Sequence, residues 1–227
     1  MKMSIIIPVL NEATLIGDTL LSLQPLRAAG HELVVVDGGS ADASVVASQP
    51  LADQVIRSPR GRSRQMNEGT KAAKGEILLF LHADTFLPNG AERMIDQGMN
   101  GKKKVWGRFD VKLAGKHPLL RIVELLMNLR SRLSGIATGD QGIFVRRELL
   151  ERVGGFPDID LMEDIALSKM LKKVDRPLCL WQRVLTSSRR WEKRGILRTV
   201  LLMWFLRLAY FYKVNPGRLA RLYYPWG

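Results

Sequence analysis

The apolar positions of the first hundred residues alternate between two periods. "SIIIPVL" (4–10) is a short unbroken apolar run and reads as a strand. "EATLIGDTLLSLQPL" (12–26) spaces its apolar residues as one face of a helix. "HELVVVDGGS" (31–40) is a β-branched run closed by a Gly-Gly turn, and "ADASVVAS" (41–48) predicts a short helix capped by Ser40 or Asp42. "DQVIRSP" (53–59) predicts a strand, "RSRQMNEGTKAAKG" (62–75) a helix ending at Gly75, "EILLFLHAD" (76–84) a strand, and "PNGAERMIDQGM" (88–99) a helix opened by Pro88. Strand and helix alternate four times, which predicts an α/β fold with a mostly parallel sheet covered by helices on both faces.

The second half is less regular. "KKVWGRFDVKL" (103–113) predicts a strand and "HPLLRIVELLMNLRSRL" (117–133) an amphipathic helix. "GDQGIFVRRELLERVGGF" (139–156) holds a short strand and then a helix, and "MEDIALSKMLKK" (162–173) is a further helix. "PLCLW" (177–181) and "VLTSS" (184–188) predict two short strands, and "ILRTVLLMWFLRLAYFYKV" (196–214) a long apolar helix interrupted by Arg198 and Arg207.

Charge changes this picture. The 227-residue chain has a net charge of +13, but residues 1–100 carry nine Lys/Arg and eleven Asp/Glu, a net of −2. Residues 101–227 carry twenty-six and eleven, a net of +15. A basic half calls for an anionic partner such as phosphates, nucleic acid or an acidic membrane surface, unless it is only a solvated face. No nucleic-acid reader motif is present, so nucleic acid is not expected. Cys179 is the only cysteine, which excludes an internal disulfide and fits a reducing, cytoplasmic setting. "MKMSIIIPVLNEAT" reads as a strand, not a signal peptide.

Polar groups gather where strands end. "PVLNE" puts Asn11 and Glu12 at one tip, "VVVDGGS" puts Asp37 at a second, and "LHAD" puts His82 and Asp84 at a third. In parallel α/β sheets that rim is where ligands bind. A carboxylate at the end of an apolar strand is costly unless it is paired, hydrogen-bonded or on a metal. Taken alone, each of these residues also fits a turn or cap; Asp37 before Gly-Gly is ordinary turn chemistry. There is no G-x-G-x-x-G and no G-x-x-x-x-G-K-[ST]. A nucleotide here would instead need a divalent cation shared between a carboxylate, such as Asp84, and a diphosphate.

These segments together resemble family 2 glycosyltransferases. The resemblance rests on "PVLNE", "VDGGSADAS", the acid-x-acid position "HAD", "GDQGIFVRRELLERVGGF" followed by "MEDIALSKML", and "SSRRW", and it spans about residues 4–191. It implies a GT-A fold, a Rossmann-like sheet with a helical C-terminal extension. It implies a nucleotide-sugar donor, UDP by preference, with Mn²⁺ or Mg²⁺, and transfer to an acceptor hydroxyl with inversion. By the same similarity, Pro8, Asn11 and Glu12 edge the base and ribose site, Asp37 accepts from the base, and Arg62 and Arg64 lie near the diphosphate. Asp84 is the metal ligand, Asp164 of the Glu163-Asp164 pair is the general base, and Arg190 and Trp191 close the site. Without the resemblance, Glu163 and Asp164 read as a pair of acids favoured by a helix N-terminus.

Three positions depart from the family pattern. Gly38 follows Asp37 where a second Asp is usual, His82 replaces the first acid, and Ser187 stands for the glutamine of the Arg-Trp motif, as in non-processive members. His82 can bind a ribose hydroxyl or Mn²⁺. Two other classes stay open. A sugar-phosphate nucleotidyltransferase shares the sheet, but "PVLNEATLIG" lacks its Gly-rich Arg loop. A non-catalytic nucleotide- or membrane-binding module would explain the charge.

The expected organisation is a nucleotide-sugar-binding half (1–100), an acceptor-binding and catalytic half of the same domain (101–191), and an apolar, basic helical tail (192–227). Residues 196–214 approach the ~20 residues that span a bilayer. Arg198 and Arg207, nine positions apart, fall on nearly opposite faces. That disfavours spanning and suggests a helix lying in the interface with both arginines snorkelling to the headgroups. The expectation is peripheral attachment to an anionic inner membrane surface and a lipid-linked acceptor; the alternative is a helix packed on the chain's own core.

Overall fold

The computed structural model describes residues 1–101 and 103–224. Its first half follows the predicted alternation: β1 (Met3–Val9), α1 (Ile16–Ser22), α2 (Gln24–Ala28), β2 (Glu32–Asp37), α3 (Ser44–Ser48), β3 (Gln54–Arg57), α4 (Arg62–Ala72) and β4 (Ile77–Phe80). Next come β5 (Thr85–Phe86) and α5 (Ala91–Asp96), which runs into a π-helical turn (Gln97–Gly101). The second half contains β6 (Trp106–Leu113), α6 (Pro118–Ser134), a 3₁₀ turn (Gly139–Gln141), β7 (Ile143–Arg146) and α7 (Arg147–Arg152). It closes with α8 (Glu163–Lys172), β8 (Leu178–Thr186), α9 (Arg189–Arg194), α10 (Ile196–Phe211) and α11 (Pro216–Tyr223).

One sheet of eight strands, in the order β3-β2-β1-β4-β7-β6-β8-β5, runs through both halves. The β3-β2-β1-β4 block is parallel, β7 is antiparallel to both β4 and β6, β8 is parallel to β6, and β5 is antiparallel to β8. Strand alternation sorts β1 onto two cores. Ile5, Ile7 and Val9 pack with Ile16 and Leu20 of α1 and Leu120 of α6. Ile6 packs on the other face with Met66 of α4 and with Leu167 and Leu171 of α8. Both faces are covered, which is why these strands read as unbroken apolar runs.

The structure corrects four boundaries. The helix expected over 12–26 is two helices, because Pro25 opens α2 and cannot continue the hydrogen-bond ladder of α1. The strand expected over 76–84 stops at Phe80, freeing 82–84 to form the rim of a cleft. The two strands expected at 177–181 and 184–188 are one, β8, whose pairing with β6 shifts register between Arg108 and Asp110. The helix expected over 196–214 stops at Phe211, and a second one, α11, follows.

The tail is built into the fold. Leu206 of α10 and Leu219 and Tyr223 of α11 are buried against Leu161, Met162 and Ile165 at the start of α8. The snorkelling expected of both arginines is corrected for one of them. Arg198 is exposed, but Arg207 lines the cleft, as a half-turn separation on one helix requires.

Candidate active site

A cleft of about 710 Å³ opens at the carboxyl ends of the parallel strands. The ends of β1 and β4 contribute Pro8, Glu12, His82 and Asp84; the start of α4 contributes Arg62; the start of α8 contributes Glu163 and Asp164; α9 contributes Arg190 and Trp191. Residues far apart in sequence therefore converge on one concave surface, as the rim argument expects.

The α8 start is organised for two carboxylates. Met162, just before it, holds a left-handed φ of 71°, a conformation that costs a side-chain-bearing residue about 1 kcal/mol or more. Glu163 and Asp164 occupy the first turn, where the helix dipole favours negative charge. Asp164 Oδ2 accepts from the Gly139 N–H at 2.8 Å, and Oδ1 accepts from the Ile165 N–H at 2.6 Å. Each oxygen keeps a further lone pair, and the residue lines the cleft. Glu163 is buried; burial, and then the Asp164 charge, push its carboxyl up to about 7, against the opposing Arg62.

His82 is not free. Its Nδ1 lies 3.2 Å from Asp140 Oδ1. Burial works against the Asp140 charge, but the His82 hydrogen bond and the charges of His82, Arg62 and Arg190 outweigh it and hold that carboxyl at about 2. A Cβ on Gly139 would collide with His82 Nε2, so only glycine lets the ring pack here. Sequence reasoning misses Asp140. Its signal is an acid between glycines in "GDQG", but its partner lies in the segment after β4, far away in sequence, and cannot be read from spacing.

Arg62 sits in the densest field of the cleft. Burial opposes its charge, yet Tyr224, Glu163, Asp140 and Asp164 together raise its pKa above the ordinary arginine value. The Arg190 pKa is lowered, by burial first and by Arg62 next. The Arg190 guanidinium stacks 4.6 Å from the centre of the Tyr223 ring, so the tail positions it. Arg189, also missed, reaches back with Nη2 3.2 Å from Glu12 Oε2 and 3.7 Å from Asp84 Oδ2.

Three expected site residues do not line the cleft. Asp37 is buried and its oxygens accept from the Gly39 and Ser40 N–H groups at 3.1 Å, so the turn takes up its carboxylate. Its neighbour Gly38 is glycine for a steric reason, since a Cβ there would meet the Gln65 amide at 2.9 Å. That amide is occupied in tying Val9 O and Val36 O together. Asn11, at a left-handed φ of 55°, accepts from the Ala41 N–H at 2.8 Å and braces the same turn. Arg64 points away from the cleft and pairs with Asp158 at 2.8 Å on the surface.

For a metal, Asp84 is the carboxylate beyond the end of β4 that could serve, with Arg189 Nη2 3.7 Å from its Oδ2. Among the described residues no group of three or more His, Cys, Asp or Glu side chains is arranged to hold an ion. The arrangement therefore suits an ion that takes few protein oxygens and completes its shell with phosphate and water, as Mg²⁺ and Mn²⁺ do, and not a protein-only cage.

A family model described as Glycosyl transferase family 2 matches residues 4–152. Poly-beta-1,6-N-acetyl-D-glucosamine synthase of Staphylococcus epidermidis is 24% identical over 208 residues, covering 81% of this chain and 50% of the relative. The chain thus spans about half the length of the curated relatives it matches. Among solved structures, S. aureus TarS 1-349 in complex with UDP-GlcNAc superposes with a TM-score of 0.67 at 20% identity, covering 82% of this chain and 58% of that one. The mannosyltransferase PcManGT from Pyrobaculum calidifontis, in complex with GDP-Man and Mn²⁺, superposes with a TM-score of 0.64 at 25% identity, covering 91% of this chain and 60% of that one.

Proposed function

The chain belongs to glycosyltransferase family 2, and on that premise we propose that it moves a sugar from a UDP-sugar to an acceptor hydroxyl with inversion at the anomeric carbon. One observation carries the reading: Asp84, Asp164, Arg62 and Arg190, drawn from four separate elements, line a single cleft at the sheet's carboxyl rim. In the reaction, Asp164 takes the proton of the acceptor hydroxyl. The hydroxyl oxygen bonds to the anomeric carbon from the face opposite the leaving group, and the bond to the diphosphate breaks with its electron pair leaving on UDP. Arg62 and Arg190 face the negative charge that develops. Asp84 would hold Mn²⁺ or Mg²⁺, whose chemistry when bound is to neutralise the diphosphate. Pro8, Glu12 and His82 border the donor side, and Trp191 lines the cleft beside Arg190 in sequence.

UDP is then expected to raise the melting temperature of the wild-type protein far more with Mn²⁺ or Mg²⁺ than with chelator. Asp84→Asn should keep the metal-independent part of the shift and lose the rest. An Asp84→Asn protein showing the full metal-dependent increment would remove Asp84 from the metal site.

The acceptor belongs to the same proposal, as a lipid-linked hydroxyl reached by a protein lying on an anionic membrane. Among the described residues no helix is long and apolar enough to cross a membrane. What supports surface attachment is two neighbouring helices with apolar outer faces. On α6, Ile122, Leu125, Leu126, Leu129 and Leu133 are 47–71% exposed; on α10, Leu197, Leu201, Trp204, Phe205, Leu208 and Phe211 are 56–71% exposed. Soluble monomers seldom leave so many large apolar side chains in adjacent rows. From Lys193 to the last residue the chain has seven Lys/Arg and no Asp/Glu, a charge that suits anionic lipid and repels a second copy. Co-sedimentation with vesicles containing phosphatidylglycerol is expected at low salt, weakening as salt screens the charge, and dropping in a Leu201→Glu/Phe205→Glu variant. No binding to such vesicles at low salt, or a concentration-dependent dimer in their place, would rule out attachment.

A further inference from the structure

The cleft holds more unpaired arginine than a donor diphosphate accounts for. Resting on the reading above, Arg62 and Arg190 answer the donor. Two further arginines stand in the field of the candidate base. Arg207, from the inner side of α10, lines the cleft, and its Nε is buried with no hydrogen-bond partner. Arg130, from α6, has both Nε and Nη2 buried and unpartnered. The pKa of Arg130 is lowered to about 10 by burial first and by the Arg207 charge next, with Asp164 opposing; that of Arg207 is lowered by burial, with Asp164 and Asp140 opposing. Arg130 therefore senses Arg207, and both cations sense Asp164. Three other arginines of the cleft have partners in the protein: Arg189 has Glu12 and Asp84, Arg190 has the Tyr223 ring, and Arg194 donates to Tyr223 O.

A buried guanidinium with free N–H groups is costly until an anion meets it. In the proposed reaction the acceptor hydroxyl must stand at Asp164, so a group fixed to the acceptor comes within reach of Arg207. We propose that Arg207, supported by the charge of Arg130, is an anion subsite for the acceptor, and that the molecule bearing the accepting hydroxyl also bears a phosphate or carboxylate. The planar fork of arginine suits a bidentate hold on either group. Arg207 and the apolar row share α10, so the anion can belong to a soluble metabolite or to a lipid headgroup.

The test uses thermal shift on the full chain saturated with UDP and Mn²⁺, with two probes: glycerol 3-phosphate and monomeric dihexanoyl phosphatidic acid. At least one probe should raise the melting temperature of the wild type further. A response to glycerol 3-phosphate identifies a soluble acceptor class, and a response to the phosphatidic acid alone identifies a headgroup. Arg207→Gln should weaken that probe by about 10–100-fold, the loss of a charge-assisted pair, while keeping its response to UDP. Arg207→Lys keeps the charge without the fork and should weaken the probe less than Arg207→Gln; it carries the test if the glutamine variant does not fold. The subsite is overturned if neither probe shifts the UDP-bound wild type, if the shift survives in Arg207→Gln, or if that variant loses its UDP response as well, which would place Arg207 at the donor. Failure of the wild type to respond to UDP would count against the donor reading instead.

Discussion

Asp164→Asn is expected to lose about 10²-fold or more in turnover while its affinity for UDP stays within a few-fold, as removal of a general base does. Asparagine is close in shape to aspartate and its carbonyl oxygen can still accept from the Gly139 N–H, which Asp164 Oδ2 holds at 2.8 Å. The loop that carries Asp140 therefore keeps its anchor, and the donor side of the cleft keeps its form. What disappears is the lone pair that takes the acceptor proton. Glu163 is no substitute, because its side chain is buried. The measurement is steady-state UDP release beside a UDP titration. Turnover within tenfold of wild type would remove Asp164 from the chemistry, and a matching loss of UDP affinity would show that the substitution damaged the site's structure.

The sheet is legible in the sequence wherever both of its faces are buried. Runs such as "IIIPV" and "LVVV" fit a buried strand at their length, and both strands form as read. Boundaries fail where a local residue overrides the periodicity, as Pro25 does by dividing one apolar pattern between two helices. β8 reads as two strands because residues 181–183 are exposed between its buried ends. A strand with one solvated stretch gives no continuous apolar signal. The cleft is legible in the residues that sit at strand tips or in the Glu-Asp and Arg-Trp motifs. It is not legible where a side chain's direction depends on a turn. Asp37 and Asn11 lie at strand tips as expected, but their oxygens are satisfied by backbone N–H groups of the following turn. Spacing cannot tell an acid that holds its own turn from one that awaits a ligand. Arg207 shows the opposite case. A cation inside an apolar helix is visible in the sequence, but that its face is the cleft follows only from where α10 docks.

Asp110→Ala should remove about 3–5 kcal/mol of stability, the penalty for leaving a buried charge without its counterion. Arg108 is 0% exposed and stands in the middle of the sheet on β6. Its guanidinium pairs with Asp110, and Nη1 and Nη2 also reach the backbone oxygens of Phe109 and Asn128 at 3.2 and 3.3 Å. The other Asp110 oxygen takes Arg132 Nη2 at 2.8 Å, and Arg132 in turn donates to Cys179 O and Leu180 O on β8 and lies over the Trp181 ring. The carboxylate thus joins β6, α6 and β8 at the point where the β6–β8 register shifts. Without it, Arg108 has lost its only ion-pair partner among the described residues and cannot reach water. A domain of this size has ~5–15 kcal/mol in total, so the variant should melt about 6–20 °C lower. Urea unfolding of Asp110→Ala beside the double variant Arg108→Met/Asp110→Leu separates charge from packing. The double variant removes both charges and should recover most of the loss, since buried pairs are often replaceable by apolar residues of similar volume. If Asp110→Ala costs less than about 1 kcal/mol, or if the double variant is as unstable as the single, the stability of this region rests on packing and hydrogen bonds in place of the ion pair.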